Sequence, residues 1–191
     1  MFNKTSDVLQ DYAQAITCEW LETNGLGGYS SSTIIGCNSR RYHGLLVAAT
    51  NPPAERTAIV SKIDEAIVID GERFELGTNN YGDTIHPTGH VYLHSFTKDI
   101  YPEWIYEVNG VRLRKRIVMP QGENTTLIIY DVITAPGTFQ LELLPLLSYR
   151  NYHALRQAGD NVFTAPVFED DCLKIKTYEG DTRSEERRVG K

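Results

Sequence analysis

The stretch Glu103 to Met119, EWIYEVNGVRLRKRIVM, contains two β-prone runs joined by Asn109-Gly110. This dipeptide tolerates the positive φ angles of a two-residue turn, so the stretch predicts an antiparallel hairpin. After the turn, three arginines alternate with a second set of side chains: Arg112, Arg114 and Arg116 against Val111, Leu113, Lys115 and Ile117. Such alternation is typical of a half-buried strand, and it predicts an outer strand with a charged, solvated face.

Similar signals recur along the chain. Asp70-Gly71 divides AIVIDGERFEL (66–76) into a second hairpin, and the apolar run Leu45 to Ala49 predicts a strand covered on both faces. Helix signals are weak, with one short helix expected after Ser6. Further strands are predicted at Thr125–Ile133, Phe139–Leu147 and Cys172–Tyr178. Strands at this spacing, without helices between them, predict an all-β fold, an antiparallel sandwich or barrel.

Composition narrows the classes of function. The chain has 191 residues and a net charge of −6, and no basic stripe stands out, which argues against nucleic acid and anionic membranes as partners. The first twenty residues lack an apolar leader, and no apolar run is long enough to cross a bilayer. The three cysteines have unrelated spacings, so we expect reduced thiols in a cytoplasmic protein.

The last nine residues, RSEERRVGK (183–191), carry no apolar pattern. They match an in-frame translation of a common sequencing-library adapter, which predicts a non-native tail after a native segment of residues 1–182. An ordinary charged C-terminal tail is the alternative. If the tail is adapter, the open reading frame was cut short, and reading the source DNA decides between the two.

Three histidines with four-residue spacing, His86, His90 and His94, raise the question of a metal site. Pro87 and Gly89 argue against a helix that would align them. On an extended strand, residues four apart are separated by roughly 13 Å, too far to share one ion. We therefore expect no metal and no other cofactor, and a cupin-like metalloenzyme is the alternative that these histidines leave open.

Candidate catalytic groups are not distinguished by the sequence. Ser30 to Ser32 lack the G-x-S-x-G elbow, and GLGG lacks the order of a phosphate-binding loop. Adjacent acids are common on surface turns, so no pair marks glycoside chemistry. Glu65 differs, because period-two counting places it on an apolar face, where a carboxylate needs a partner, with arginine the best candidate.

The stretch Arg40 to His43, RRYH, stands between a glycine-rich segment and the apolar strand at residue 45. One interpretation is structural: an internal Arg–Glu pair, with Glu65 as the carboxylate, fixes the strand register. The other is a polar cluster for a hydroxyl-rich ligand, with Trp20 and Tyr42 as stacking platforms.

Four segments together resemble the N-terminal part of bacterial and archaeal glycogen debranching enzymes. They are EWLETNGLGGYSSSTIIGCNSRRYHGLLVAAT (19–50), NPPAERTAIVSKIDEAIVIDG (51–71), YPEWIYEVNGVRLRKRIVMPQGENTTLIIYDV (101–132) and LLPLLSYRNYH (143–153). The resemblance runs in order from about Cys18 to His153 and is most specific in the first segment. It implies a β-sandwich of the super-sandwich type that precedes an (α/α)6 toroid carrying the catalytic carboxylates.

The resemblance also implies a function. The whole enzyme would act in glycogen breakdown as a 4-α-glucanotransferase and amylo-α-1,6-glucosidase, with α-glucan and the C-terminal toroid as partners of this chain. No residue here is expected to be catalytic, and the alternative is a free-standing carbohydrate-binding sandwich. Residues expected at the substrate or the domain interface are Trp20, Asn24, Arg40, Arg41, Tyr42 and His43; those expected to form a structural turn are Gly25, Gly27 and Gly28.

Overall fold

The computed structural model describes residues 1–52, 54–157, 165–176 and 184–187. The chain divides into two compact units, Met1–Ala154 and Leu155–Lys191. The described residues include no helix long and apolar enough to cross a membrane.

The first unit is built almost wholly from strands. Its helical elements are α1 (Ser6–Leu9), α2 (Tyr12–Ala15) and a 3-10 turn (Gly89–Tyr92). Its strands are β1 (Phe2–Thr5), β2 (Glu19–Thr23), β3 (Tyr29–Thr33), β4 (Gly44–Asn51), β5 (Glu55–Ile69), β6 (Glu72–Glu75), β7 (Thr78–Asn80), β8 (Ile85–Thr88), β9 (Leu93–Lys98), β10 (Pro102–Val108), β11 (Val111–Val118), β12 (Leu127–Thr134) and β13 (Gln140–Asn151).

Two antiparallel sheets form the sandwich. One has the strand order β1-β9-β10-β11-β12, and the other has the order β13-β5-β4-β3-β2, with β6 paired to β5. β7 and β8 form a separate pair. The all-β sandwich expected from the sequence is therefore confirmed. Both predicted hairpins are present, and Asp70, Gly71, Asn109 and Gly110 all have positive φ angles.

The core lies between the two sheets. Trp20 of one sheet and Trp104 of the other meet edge to face, with ring centroids 5.2 Å apart, and Phe96 packs against Trp104 at 5.1 Å. Both indole groups also donate hydrogen bonds to main-chain carbonyls, at 3.2 Å for Trp20 and 2.7 Å for Trp104. The two tryptophans thus combine a large apolar area with satisfied N–H groups, which makes the centre of the core well defined.

Strand β11 has the two faces that its alternation predicts, although it lies between β10 and β12 and is not an edge strand. Val111, Leu113 and Ile117 are buried. The arginines on the other face form ion pairs with carboxylates of the neighbouring strands: Arg112 with Glu107, Arg114 with Glu103 and Asp131, and Arg116 with Asp131. A charged outer face suits either an edge or an interior strand, so alternation alone does not fix the position in a sheet.

The expected N-terminal helix is two short helices. Ser6 begins α1, but the N-cap is Thr5, whose side chain makes no capping bond. Asp11 caps α2, because its carboxylate accepts hydrogen bonds from the main-chain N–H groups of Ala13 and Gln14. The strongest helix-start signal in this segment is thus an aspartate rather than the serine.

Strands β12 and β13 are the terminal strands of the two sheets and carry many exposed apolar side chains. These residues are Leu127, Ile129, Val132 and Ile133 on β12, and Leu143, Leu144 and Leu146 on β13. Leu144 is 57% exposed and Val132 is 56% exposed. Each sheet therefore ends in a strand with several exposed apolar side chains.

The second unit contains a three-stranded antiparallel sheet in the order β14 (Val167–Glu169), β15 (Cys172–Ile175), β16 (Ser184–Arg187). The strand predicted for Cys172–Tyr178 corresponds to β15, and its last two residues lie outside the described part of the chain. β16 lies within the adapter-like stretch 183–191, whose other residues are also outside the described part. The boundary at residue 182 remains a prediction.

Candidate functional site

The glycine-rich segment forms a tight turn between β2 and β3. Gly25 and Gly27 have φ angles of +76° and +95°, a region that residues with a Cβ rarely adopt. Gly28 is needed for a different reason: a Cβ there would lie 2.6 Å from the side-chain nitrogen of Asn24 and 3.1 Å from the carbonyl oxygen of Val47. The glycines therefore shape the backbone and bring it close to neighbouring groups.

Asn24 has a structural role in this turn. It is fully buried, and its Nδ2 donates to the carbonyl of Glu123 at 2.8 Å and to Oδ1 of Asn124 at 3.1 Å. Its Oδ1 accepts from the N–H of Leu26 at 3.0 Å. The amide of Asn24 is enclosed and already bonded at both its nitrogen and its oxygen, which argues against the expected contact with substrate or a partner domain.

Trp20 also differs from its expected role. It is 5% exposed and lies against Trp104 in the core. A stacking platform needs an open ring face, so Trp20 cannot serve as one. Glu19, Leu21 and Thr23 are the exposed positions of β2, which shows that period-two alternation on this strand turns the tryptophan inward.

His43 and Arg40 share one carboxylate, that of Glu19. Arg40 Nε lies 2.7 Å from Glu19 Oε1, and His43 Nε2 lies 3.4 Å from the same oxygen. His43 is buried, and its Nδ1 accepts from the main-chain N–H of Ser39 at 3.1 Å, so the neutral ring carries its hydrogen on Nε2. The geometry at Nε2 falls short of a hydrogen bond, and the contact with Glu19 is electrostatic.

Burial sets the charge state of His43. Desolvation lowers the pKa of His43 below its ordinary value of 6.5, and the nearby Arg40 lowers it further, against the opposing effect of Glu19. His43 is therefore a neutral, enclosed residue that orders the 39–43 turn. The burial of His43 argues against its expected contact with substrate or a partner domain, whereas Arg40 is exposed.

Glu65 is buried, as its position on an apolar face indicated, but its partner is a lysine. Lys115 of β11 forms an ion pair with Glu65 Oε1 across the space between the sheets, and Tyr130 Oη donates to the same oxygen at 2.7 Å. Glu65 is thus paired with a residue of the opposite sheet. The expected pair between Glu65 and Arg40 or Arg41 does not form, because Arg40 pairs with Glu19 instead. Lys115 was the one charged residue on the apolar face of β11, so both partners carried the same sequence signal.

A cavity of about 40 Å³ lies beside this pair. Trp20, Trp104 and Tyr106 line it, together with Glu65 and Lys115. Desolvation raises the pKa of the Tyr106 hydroxyl well above its ordinary value of 10. The cavity has room for a few water molecules, so it cannot admit a sugar ring.

The remaining part of the RRYH stretch meets the end of β13. Arg41 Nη1 donates to the carbonyl of His153 at 3.1 Å, and Tyr42 Oη lies 3.2 Å from His153 Nδ1. Arg150 donates from Nη2 to the carbonyl of Arg41 and from Nη1 to that of Ala154 at 2.8 Å. Arginine, tyrosine and histidine side chains thus join two segments about 110 residues apart.

Aromatic rings complete this surface. The ring of Tyr42 lies 5.6 Å from Tyr152 and 5.7 Å from His153, and the Arg56 guanidinium lies 5.4 Å from the centre of the Tyr152 ring. Tyr29 Oη donates to the carbonyl of Tyr42 at 2.8 Å. We call this surface the Arg–Tyr patch: Tyr29, Arg41, Tyr42, Arg56, Arg150, Tyr152 and His153.

The Arg–Tyr patch is partly open to solvent. Tyr42 is 42% exposed, and Arg41 and His153 are exposed as well. Tyr29 and Arg150 are half-buried: desolvation raises the pKa of the Tyr29 hydroxyl and lowers that of the Arg150 guanidinium. Open aromatic rings beside exposed hydrogen-bond donors are the groups with which proteins recognise sugars.

Sequence reasoning selected only two residues of the Arg–Tyr patch, Arg41 and Tyr42. The other five members were missed: Tyr29, Arg56, Arg150, Tyr152 and His153. A signal was available, since YRNYH (149–153) repeats the residue types of RRYH (40–43). Only the pairing of β13 with β5, next to β4, brings the two stretches together.

The histidines considered as metal ligands are dispersed. His90 is buried beside Thr78, while His86 and His94 lie on the surface near Glu75 and Glu107 respectively. Within the described ranges, no group of three or more histidine, cysteine or acidic side chains is placed to hold a metal ion.

Both segments of the Arg–Tyr patch lie within a recognisable family match. The family model described as "Glycogen debranching enzyme N terminal" matches residues 18–186. The chain belongs to this family. Neither the comparison with curated proteins nor that with solved structures returned a match. The sandwich is therefore the N-terminal part of a glycogen debranching enzyme, and every residue of the Arg–Tyr patch lies within the matched range.

Proposed function

We propose that this debranching-enzyme sandwich is non-catalytic and forms one wall of an α-glucan cleft, against a C-terminal catalytic domain. The whole enzyme would transfer α-1,4-linked segments and hydrolyse α-1,6-linked branch glucose. The observation that carries the proposal is the Arg–Tyr patch, where exposed aromatic rings and guanidinium groups lie together at one end of β13. Glucan chains offer apolar sugar faces and many hydroxyls, which suit such a surface.

The absence of acids from the Arg–Tyr patch supports a binding role rather than a chemical one. Glycoside hydrolysis uses two carboxyl groups held at a fixed separation on either side of the bond. Among the described residues, none of the guanidinium groups of Arg41, Arg56 and Arg150 has a carboxylate within ion-pair distance. We therefore assign the catalytic carboxylates to the C-terminal domain.

The apolar strands support the position of that domain. β13 carries exposed Leu143, Leu144 and Leu146 along its length and leads directly into Tyr152 and His153. A domain docked on β13 and β12 would cover the leucines and border the Arg–Tyr patch. Ligand sites at the junction of two domains are common, because each domain supplies one wall.

The test compares two adjacent arginines in the longer enzyme. Arg41 is in the Arg–Tyr patch, whereas Arg40 points to Glu19 and serves as the matched control. Arg41→Ala and Tyr42→Ala should each lower kcat/KM on branched glucan about tenfold, the loss expected for one charge-assisted contact or one stacked ring, with Tm unchanged. Arg40→Ala should keep wild-type activity. Equal activity of the Arg40 and Arg41 variants would overturn the proposal.

The free-standing binding module makes a different prediction. If the sandwich needs no partner, the 191-residue chain alone should co-sediment tightly with glycogen, and Tyr42→Ala should abolish this. If the sandwich instead forms one wall of a cleft, the chain by itself should bind glycogen weakly, and tight binding should require the longer enzyme. We expect weak binding and no glucose release from this chain.

A further inference from the structure

The Arg–Tyr patch differs from the rest of the sandwich in its charge. Five other arginines each form an ion pair with a carboxylate: Arg40, Arg73, Arg112, Arg114 and Arg116. Arg41, Arg56 and Arg150 have no such partner among the residues that the structure describes. The chain as a whole carries more acids than bases, 25 against 19, so carboxylates are not scarce. Three guanidinium groups without a counter-charge give this surface a positive potential.

The three arginines use their donors differently. Arg150 donates to several main-chain carbonyls, among them those of Arg41 and Ala154, and is held in place by them. Arg41 makes one bond, from Nη1 to His153, and Arg56 donates from Nε to Gly27 and from Nη1 to Tyr152 Oη at 3.3 Å. A guanidinium has five N–H groups. Arg41 and Arg56 therefore keep N–H groups for a ligand, and Arg150 acts as a positioning residue.

A neutral sugar would use the rings of the Arg–Tyr patch but would leave its charge unbalanced. Guanidinium groups match tetrahedral phosphate oxygens, which accept paired, charge-assisted hydrogen bonds. The hydroxyl of Tyr152 accepts from Arg56, so its own hydrogen is free to be donated to an anion. Tyr42 presents its ring beside these donors, where a sugar carrying the phosphate could stack.

We propose that the Arg–Tyr patch binds a hexose phosphate monoester, through Arg41 and Arg56 at the phosphate and Tyr42 at the sugar. This rests on the proposed function in the choice of a hexose, and it extends that function from neutral glucan to a charged one. The phosphate ester could belong to a free hexose phosphate or to a phosphorylated glucose of the polymer. Both sources present the same group to the same side chains.

The experiment is calorimetric titration of the 191-residue chain with glucose 6-phosphate, inorganic phosphate and glucose. Glucose 6-phosphate should bind at least tenfold more tightly than glucose, which is the smallest effect expected for charge-assisted bonds. Arg41→Gln should remove this preference, and Arg41→Lys should restore only part of it, because lysine cannot bond two oxygens in parallel. Arg40→Gln is the control and should bind as the wild type does. A Tm measurement for each variant verifies that it is folded.

A second arm identifies the source of the phosphate. Retention of the chain on a phosphate-bearing amylopectin, before and after phosphatase treatment of the polymer, reports binding to phosphorylated glucan. Loss of retention after phosphatase assigns the polymer, while glucose 6-phosphate binding with phosphatase-insensitive retention assigns the free ester.

Equal affinity for glucose and glucose 6-phosphate, or equal losses in the Arg40 and Arg41 variants, would overturn the inference. So would phosphate binding that appears in the chain but disappears in the longer enzyme, since a carboxylate of the partner domain would then occupy the site. Each of these outcomes leaves the glucan-cleft proposal standing if Tyr42→Ala still lowers kcat/KM on unphosphorylated glucan. An unchanged kcat/KM in that variant would refute the cleft proposal instead.

Discussion

The ion pair between Lys115 and Glu65 gives the sharpest test of the sandwich. The side chains are 12% and 4% exposed, and the pair joins β11 of one sheet to β5 of the other. Lys115→Met removes the charge while keeping most of the side-chain volume. Glu65 then remains enclosed with the hydroxyl of Tyr130 as its hydrogen-bond donor. Removing one partner of a buried pair costs about 3–5 kcal/mol.

Because Lys115 is not wholly enclosed, we expect a loss near the lower limit, about 3 kcal/mol of unfolding free energy. For a chain of this length, that corresponds to a fall in Tm of about 6–12 °C. Urea unfolding followed by circular dichroism measures the free energy, and a thermal scan measures Tm. The matched control is Arg112→Met, on the solvated face of the same strand, which should lose less than about 1 kcal/mol.

The double variant Glu65→Leu/Lys115→Met completes a thermodynamic cycle. Replacing both charges with apolar groups removes the unpaired carboxylate, so most of the lost stability should return. A loss below about 1 kcal/mol in Lys115→Met, or a double variant less stable than either single variant, would refute the reasoning that this pair is buried and coupled.

Three further predictions concern other parts of the fold. Gly28→Ala should lower the free energy of unfolding by about 1–3 kcal/mol, because the added Cβ would clash with neighbouring atoms. Gly137→Ala is the control: a Cβ there has no atom within 4 Å, so its free energy of unfolding should change by less than about 0.5 kcal/mol. Similar losses for the two variants in urea unfolding would contradict this. Burial lowers the pKa of His43, so the folded state binds fewer protons than the unfolded chain, and the free energy of unfolding should fall as pH drops through 6.5. His43→Gln should make this fall less steep, and His90, whose pKa is also lowered by burial, should account for the slope that remains. An unchanged slope in His43→Gln would contradict the prediction. The 191-residue chain should self-associate through the exposed apolar side chains of β12 and β13. Leu144→Lys on β13 should reduce light scattering without lowering Tm. Scattering equal to that of the wild type would exclude β13 as the cause.

Features fixed by neighbouring residues could be predicted from the sequence. Asn109-Gly110 and Asp70-Gly71 specify turns by their own φ preferences, and the two hairpins are present. The buried run after residue 44 was likewise predicted from one segment, and within residues 45–49 only Leu46 is half-buried while the others are buried. These local signals were sufficient for the all-β class.

Features that depend on which strands face each other could not be predicted. Glu65 and Lys115 each stood out as charges on apolar faces, but only the stacking of β5 on β11 makes them partners. An arginine was expected because it bonds a carboxylate best, yet the residue that the opposite sheet supplies at that point is a lysine. Trp20 was expected at the surface as a stacking platform, but its position in the alternating pattern of β2 places its side chain in the core.

The Arg–Tyr patch takes residues from β3, from the turn before β4, from the start of β5, from the end of β13 and from the two residues that follow it. Its last contributors, Tyr152 and His153, leave the ribosome about 110 residues after Arg41 and Tyr42. A nascent chain can form the β10–β11 hairpin and much of the sandwich while this surface is still incomplete. Under the proposed function, ligand recognition would therefore arise only when β13 closes against β5, and a bound ligand would selectively stabilise the finished domain over every shorter folding intermediate.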